Sequence, residues 1–183
     1  MRAAVLRNLA NPLSIEQLVL PDLTSGQVLI KMKYSGVCGS QVKEVDGDRG
    51  ADKWLPHLLG HEGVGTVERI GPGVTKLSTD QNVGISWLSC SGLDAAPPKF
   101  KSLDYNDIVN AGCVTTFSEY TIVPENKVFE IPVEIDLKEA VLFGCAIPTG
   151  AGMVYNEHMP SNEDNVLILG LGGIGLSALI ALL

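Results

Sequence analysis

Up to Pro132 the chain alternates short apolar runs with Gly, Pro, Asn and Asp, a texture that predicts short strands rather than helices. Residues 27–35 follow the Ser25-Gly26 turn and predict one strand. Residues 63–71 predict another, and the glycines at its ends imply close backbone approach or a bend. Gly71-Pro72-Gly73 reads as a turn, and residues 81–85 start the next strand. Residues 117–124 and 127–132 complete the set. Many short strands punctuated by Gly and Pro predict a barrel or a sandwich.

The period changes after Pro132. Residues 136–143 carry helical spacing, with Asp136 placed as the N-cap. A second helix is predicted from about Thr149 to Glu157, with Thr149 as a candidate cap, and a short one at about residues 40–46, which Ser40 could cap. Residues 89–114 show neither period and are expected to form a long surface loop with some irregular helix.

The tail has its own pattern. Val166-Leu167-Ile168-Leu169 reads as a buried strand, and Gly170-Leu171-Gly172-Gly173-Ile174-Gly175 then opens a helix. Strand, Gly-x-Gly-x-x-Gly and helix are how a dinucleotide-binding unit begins. On hydropathy alone the uncharged residues 166–183 are also long enough to span a membrane. The glycines sit between a strand-like half and a helix-like half, which favours the nucleotide unit and no membrane. The later strands of such a domain, and the residue that separates NAD from NADP, do not occur in the 183 residues. The sequence is therefore expected to be the first part of a longer enzyme, without turnover by itself. Its tail is expected to pair with a second copy, giving a homo-oligomer.

Composition narrows the classes. The chain is 45% hydrophobic with a net charge of −8, and no Lys/Arg cluster offers a nucleic-acid footprint. Arg2 and Arg7 interrupt the N-terminus too early for a signal peptide, so a cytoplasmic protein is expected.

The four cysteines, at positions 38, 90, 113 and 145, have neither zinc-finger nor disulfide-scaffold spacing. Their surroundings are more informative. Cys38 lies in Gly36-Val37-Cys38-Gly39-Ser40, His61 in Gly60-His61-Glu62-Gly63, and Cys145 follows Gly144. Two thiolates and an imidazole form the ligand set of an open, catalytic zinc site. On spacing alone, two buried thiols and a hydrogen-bonded histidine are the commoner arrangement. His57 and His158 have no motif around them and read as ordinary surface or hydrogen-bonded residues.

Together, Gly36 to Ser40, Gly60 to Gly65, Gly144-Cys145 with Thr149-Gly150, and Gly170 to Gly175 resemble the zinc-dependent medium-chain alcohol dehydrogenases, in that family's order. The resemblance covers the whole chain. It implies a mainly β fold with some α: a GroES-like, partly open β-barrel catalytic domain over residues 1–147, then the beginning of an NAD(P)-binding Rossmann domain over 148–183. It implies one catalytic zinc on Cys38, His61 and Cys145, with Glu62 beside the metal as an alternative ligand. Zinc would act as a Lewis acid on a small-molecule alcohol, with hydride passing to NAD or NADP. Ser40 would take the alcohol's proton. Thr149 would lie near the nicotinamide, and Gly170, Gly172, Gly173, Ile174 and Gly175 would hold the dinucleotide.

The chain departs from the family in places. Gln41 stands where members often have an aspartate that orients the ligand histidine. Lys43 falls near a relay histidine of some members and is expected to face solvent or cofactor phosphate. The region that holds a structural zinc in many members has only Cys90, with Cys113 just beyond, so no structural zinc is expected. A disulfide between these two is disfavoured in a reducing compartment. The alternatives are a zinc-binding GroES-like module without catalysis and a zinc-free quinone reductase of the same superfamily.

Overall fold

The structure is a computed structural model that describes every residue except His158. The reading of that histidine lies outside the described residues. Ten strands occur in chain order: β1 (Arg2–Leu6), β2 (Ser14–Val19), β3 (Gln27–Ser35), β4 (His57–Leu58), β5 (Glu62–Ile70), β6 (Asn82–Ser86), β7 (Lys99–Ser102), β8 (Ile108–Asn110), β9 (Tyr120–Pro124) and β10 (Val128–Glu130). The helices are α1 (Gly39–Asp46), α2 (Leu137–Ala140), α3 (Ala146–Gly152) and α4 (Gly173–Leu182).

Strands β1, β2, β7, β8 and β4 close into a barrel, and β10, β6, β5, β3 and β9 form a second, antiparallel sheet in that order. β3 joins the two interiors. Val28 and Ile30 pack with Val67, Val83, Ile85 and Val128, while Leu29 packs with Val5, Leu18, Phe100 and Val109. β9 divides in the same way, with Val123 on one side and Ile122 on the other. A strand buried on both faces reads as a continuous apolar run, as Val28-Leu29-Ile30 does.

The predicted strands at 27–35, 63–71, 81–85, 117–124 and 127–132 correspond to β3, β5, β6, β9 and β10, within three residues at every end. The glycines of β5 do mark close approach: a Cβ on Gly63 would lie 2.6 Å from Met32 Cε, and one on Gly65 would strike the Lys31 carbonyl. The β3–β5 register shifts between Leu29 and Ile30 and again between Met32 and Tyr34, the second shift falling between Gly65 and Gly63.

Three expectations are corrected. The 89–114 stretch is not simply a loop, because β7 and β8 lie in it. Their alternation is short: Phe100 and Ser102 face inward while Lys99 and Lys101 face solvent. Residues 166–169 form no strand and are not buried, with Leu167 80% and Leu169 88% exposed. A strand exists only where neighbours receive its N–H and C=O groups, and no described strand pairs with it. The second helix starts at Ala146, three residues before Thr149, and passes into a π-turn at Met153–Glu157. Asp136 does cap α2, accepting from the Lys138 N–H at 2.8 Å. Among the described residues no single helix is long and apolar enough to cross a membrane.

One buried carboxylate ties the loops around the second sheet. Glu125 Oε1 accepts the Thr75 and Lys76 N–H groups at 2.9 and 2.7 Å, and Oε2 accepts Leu93 N–H at 2.8 Å. Burial pushes this carboxyl up, but the three N–H bonds and the Lys76 charge outweigh it and hold the group below the usual glutamate range. Its contribution is therefore full above the unfolded glutamate pKa and lost as pH falls through the lowered value. Glu125→Ala should destabilise the chain by about 3 kcal/mol near neutral pH in denaturant unfolding, and by less in acid. A loss below about 0.5 kcal/mol at neutral pH would contradict this role.

Candidate metal centre

Three separate chain segments deliver Cys38, His61 and Cys145. Cys38 is the residue on which α1 begins, just past the end of β3. His61 precedes β5, and Cys145 lies between a short 3-10 turn (Val141–Gly144) and α3. One ligand atom of each falls within 4.8 Å of the other two, so the structure brings together the three residues expected to bind metal. His61 Nε2 is buried without a hydrogen-bond partner.

The glycines beside these residues make the approach possible. A Cβ on Gly36 would lie 2.6 Å from Glu62 Oε1, and one on Gly144 would lie 2.7 Å from Glu62 Cβ. Gly60 has φ +96°, where other residues are strained, and a Cβ there would meet the Thr116 backbone nitrogen at 2.7 Å. The turn is fastened from outside. Thr116 and Phe117 donate their N–H groups to the Leu59 carbonyl, and Thr116 Oγ1 donates to the Glu62 carbonyl at 3.1 Å. Ser86 Oγ holds the Gly144 carbonyl at 2.8 Å, which fixes the approach of Cys145. Ser86 and Thr116 were not singled out from the sequence. As hydroxyls bonded to main-chain carbonyls, they carry no pattern that would reveal them.

Glu62 is buried and stands beside the cluster, though its carboxylate is not among the three mutually close ligand atoms. Burial pushes its carboxyl up, and a hydrogen bond from the Ala146 N–H offsets part of this. Burial also pushes the Cys145 thiol up, with the Glu62 charge and Cys38 adding to it. The His61 imidazole is held down by burial, against the pull of Glu44 and with the help of Arg49. A buried cation favours thiolate, carboxylate and neutral imidazole, and so would reverse the first two shifts and match the third.

Gln41 is the cluster's principal outer contact. Its Oε1 accepts the Cys38 N–H at 3.0 Å, and its Nε2 lies 3.3 Å from His61 Nδ1. Ser40 is half-buried in the first turn of α1. It is not that helix's cap: the helix begins on Cys38, whose own N–H is accepted by the returning Gln41 side chain. Thr149 caps nothing either. It lies inside α3 and donates to the Cys145 carbonyl at 2.7 Å, so it braces a cluster residue.

The glycine loop borders this region. A Cβ on Gly150 would lie 2.7 Å from Ser177 Cβ, so α3 and α4 cross closely, and Gly173 adjoins Ala146. Gly170 has φ +93°, and Gly175 sits against the Gly170 carbonyl, leaving no room for a side chain. Gly172 and Ile174 border an open, mainly apolar cavity of about 590 Å³. Cys90 and Cys113 are free and exposed, and neither belongs to a metal-ligating group among the described residues. His57 is buried and hydrogen-bonded.

Comparison with known proteins identifies the family and the fold. The family model for the alcohol dehydrogenase GroES-like domain matches residues 24–133. The S-(hydroxymethyl)glutathione dehydrogenase of Synechocystis sp. is 32% identical over 200 residues, covering 96% of this chain and 54% of that protein. An alcohol dehydrogenase of Geobacillus stearothermophilus is 32% identical over 185 residues, covering 96% and 52%. The crystal structure of an alcohol dehydrogenase zinc-binding domain protein from Burkholderia ambifaria superposes with a TM-score of 0.87 at 26% identity, covering 99% of this chain and 55% of that one. The chain spans about half the length of the curated relatives it matches. It belongs to the medium-chain alcohol dehydrogenase family and carries that family's GroES-like domain.

Proposed function

We propose that the whole protein is a zinc-dependent dehydrogenase that oxidises a primary or secondary alcohol, or a polyol, to a carbonyl, with NAD or NADP as the hydride acceptor. The observation that carries this reading is the convergence of Cys38, His61 and Cys145 around a buried, unpartnered His61 Nε2. Two thiols and one imidazole whose Nε2 has no partner fit a single zinc ion with a position left for substrate. When bound, zinc supplies Lewis acidity toward an alcohol oxygen, and a nicotinamide dinucleotide supplies the hydride acceptor.

The chain's own residues supply the rest. Ser40, in the turn that follows Cys38, takes up the alcohol's proton and passes it outward. Glu62 stays beside the cluster as a carboxylate that can approach the metal. Residues 1–147 act as the catalytic domain. Residues 148–183 begin the nucleotide domain, with Thr149 toward the nicotinamide and Gly170 to Gly175 around the pyrophosphate. With four free cysteines, the protein suits a reducing cytoplasm, where it works as a homo-oligomer. The glycine loop here rests on no sheet, because residues 166–169 are unpaired and exposed. By itself, therefore, this chain holds no dinucleotide productively.

Gln41 sets the metal affinity. With His61 bound through Nε2, its Nδ1 carries the proton, so Gln41 faces two donors, Nδ1–H and the Cys38 N–H. A primary amide has one acceptor atom, so either orientation leaves an N–H facing an N–H unless the oxygen serves both. A carboxylate accepts both.

Gln41→Glu, which keeps the shape, should therefore bind zinc about 10–100-fold more tightly in competition with a chromophoric chelator. Unchanged or weaker affinity would count against the argument. Cys38→Ala should lose about one zinc per chain by elemental analysis. In the whole protein it should lower kcat/KM for alcohol oxidation by roughly 10³-fold. Unchanged zinc content would overturn the assignment. The 183-residue chain alone should show no NAD(P)-dependent alcohol oxidation, and measurable turnover would contradict that part of the reading.

A further inference from the structure

A second group of ligating side chains lies apart from the cysteines. Glu44 on α1, Asp52 in the loop after it, and the buried His57 at the start of β4 each place one ligand atom within 4.8 Å of the others. We infer that these three residues form a second divalent-cation site, one with a nitrogen-and-oxygen ligand set.

The site is built rather than a chance cluster of acids, because Asp52 and the buried His57 each have one atom bonded to the main chain and the other turned to a common point that Glu44 also faces. His57 Nδ1 bonds the Leu58 carbonyl at 2.9 Å, which makes Nδ1 the protonated nitrogen and leaves Nε2 facing the carboxylates. Asp52 Oδ1 accepts the Trp54 N–H at 2.8 Å, and Oδ2 lies 2.8 Å from His57 Nε2. Glu44 Oε2 pairs with Arg49 at 3.8 Å, and Oε1 lies 3.7 Å from the same Nε2. Metal-bound histidines characteristically donate their other N–H to a carbonyl, and ligating carboxylates are themselves held by outer partners. His57 and Asp52 show that arrangement, and Glu44 is paired on its outer side with Arg49.

The loop carrying Asp52 is braced as well. Asn110 Nδ2 donates to the Trp54 carbonyl at 2.8 Å, and the Asn110 N–H donates to the Pro56 carbonyl at 2.9 Å. The cluster lines a cavity of about 430 Å³, which gives room for water to complete a coordination shell. His61 and Gln41 line the same cavity, so the second ion would sit on the far side of the zinc ligand's outer contact.

The chemistry selects the ion. Two carboxylates balance a divalent charge, and Arg49 pairs with Glu44 alone, at 3.8 Å. One imidazole and two carboxylates suit manganese, ferrous iron, cobalt or zinc, and lack the thiolates of the Cys38–His61–Cys145 cluster. On binding, the ion takes the position between His57 Nε2 and Asp52 Oδ2, and any proton shared there passes to solvent.

Cobalt(II) titration of the zinc-free chain separates the two sites. The first site should give intense near-ultraviolet thiolate charge transfer, and a second equivalent should add only weak visible bands. Cys38→Ala should lose the thiolate band and keep the weak bands. Glu44→Gln leaves the Asp52–His57 bond in place, so the fold is preserved. It should keep the thiolate band and weaken the second equivalent by about tenfold or more. Absence of a second equivalent in the wild type, or the same second affinity in Glu44→Gln, would overturn the site. Loss of the thiolate band from the wild type would instead overturn the zinc reading, so the two failures are distinct.

Discussion

Close approach around Glu62 is the constraint on which the metal centre depends. The chain before Cys38 and the chain before Cys145 both press against this one side chain, and each does so through a glycine. Any larger residue at Gly36 or Gly144 would meet Glu62 at a distance that Cβ atoms do not tolerate. The buried carboxylate is thus the post against which two cysteines are set, and His61 is placed by the preceding residue of the same chain. Its other side is fixed by the Thr116 hydroxyl and by main-chain bonds from 116–117 to Leu59. Cys38, His61 and Cys145 are held by strand ends and glycine clearances, which fix geometry better than a flexible loop does.

That arrangement rests in turn on the two-sided burial of β3. Its alternate residues fill two cores, so β3 cannot slip by one residue without exchanging every side chain between them. The strand therefore ends at a fixed place, and Cys38 follows at a fixed place. The same logic explains β5, where glycines let the two strands approach beyond ordinary pairing and His61 sits at the strand's head. Loops farther away are gathered by single carboxylates: Glu125 under the second sheet, and Glu16 in the barrel. Glu16 is held by a bidentate pair to Arg7 and a bond from Ser102.

Much of this was legible in the sequence wherever periodicity was long or glycine was required. β3 and β5 carried nine-residue runs, and the glycines of β5 announced close contacts that the structure contains. Asp136 was legible as a cap because its chemistry is local. The barrel strands β7 and β8 were not legible. At four and three residues, with lysines on the solvent face, they look like loop until long-range partners pair with them. Val166 to Leu169 erred in the other direction: its composition is that of a strand, but pairing is not a property of composition. Cys38, His61, Cys145 and their neighbour Gln41 could be named from the flanking words, whereas Ser86 and Thr116 act through main-chain contacts that only the fold reveals. The Glu44–Asp52–His57 group was missed because its members come from three elements with no shared motif.

The central claim is that two sulfurs and one nitrogen of this chain converge on a single zinc ion. X-ray absorption at the zinc edge of protein loaded with one equivalent tests it most directly. The account requires about two sulfur scatterers near 2.3 Å and nitrogen or oxygen scatterers near 2.0–2.1 Å. A shell made only of nitrogen and oxygen, or one of four sulfurs, would contradict it.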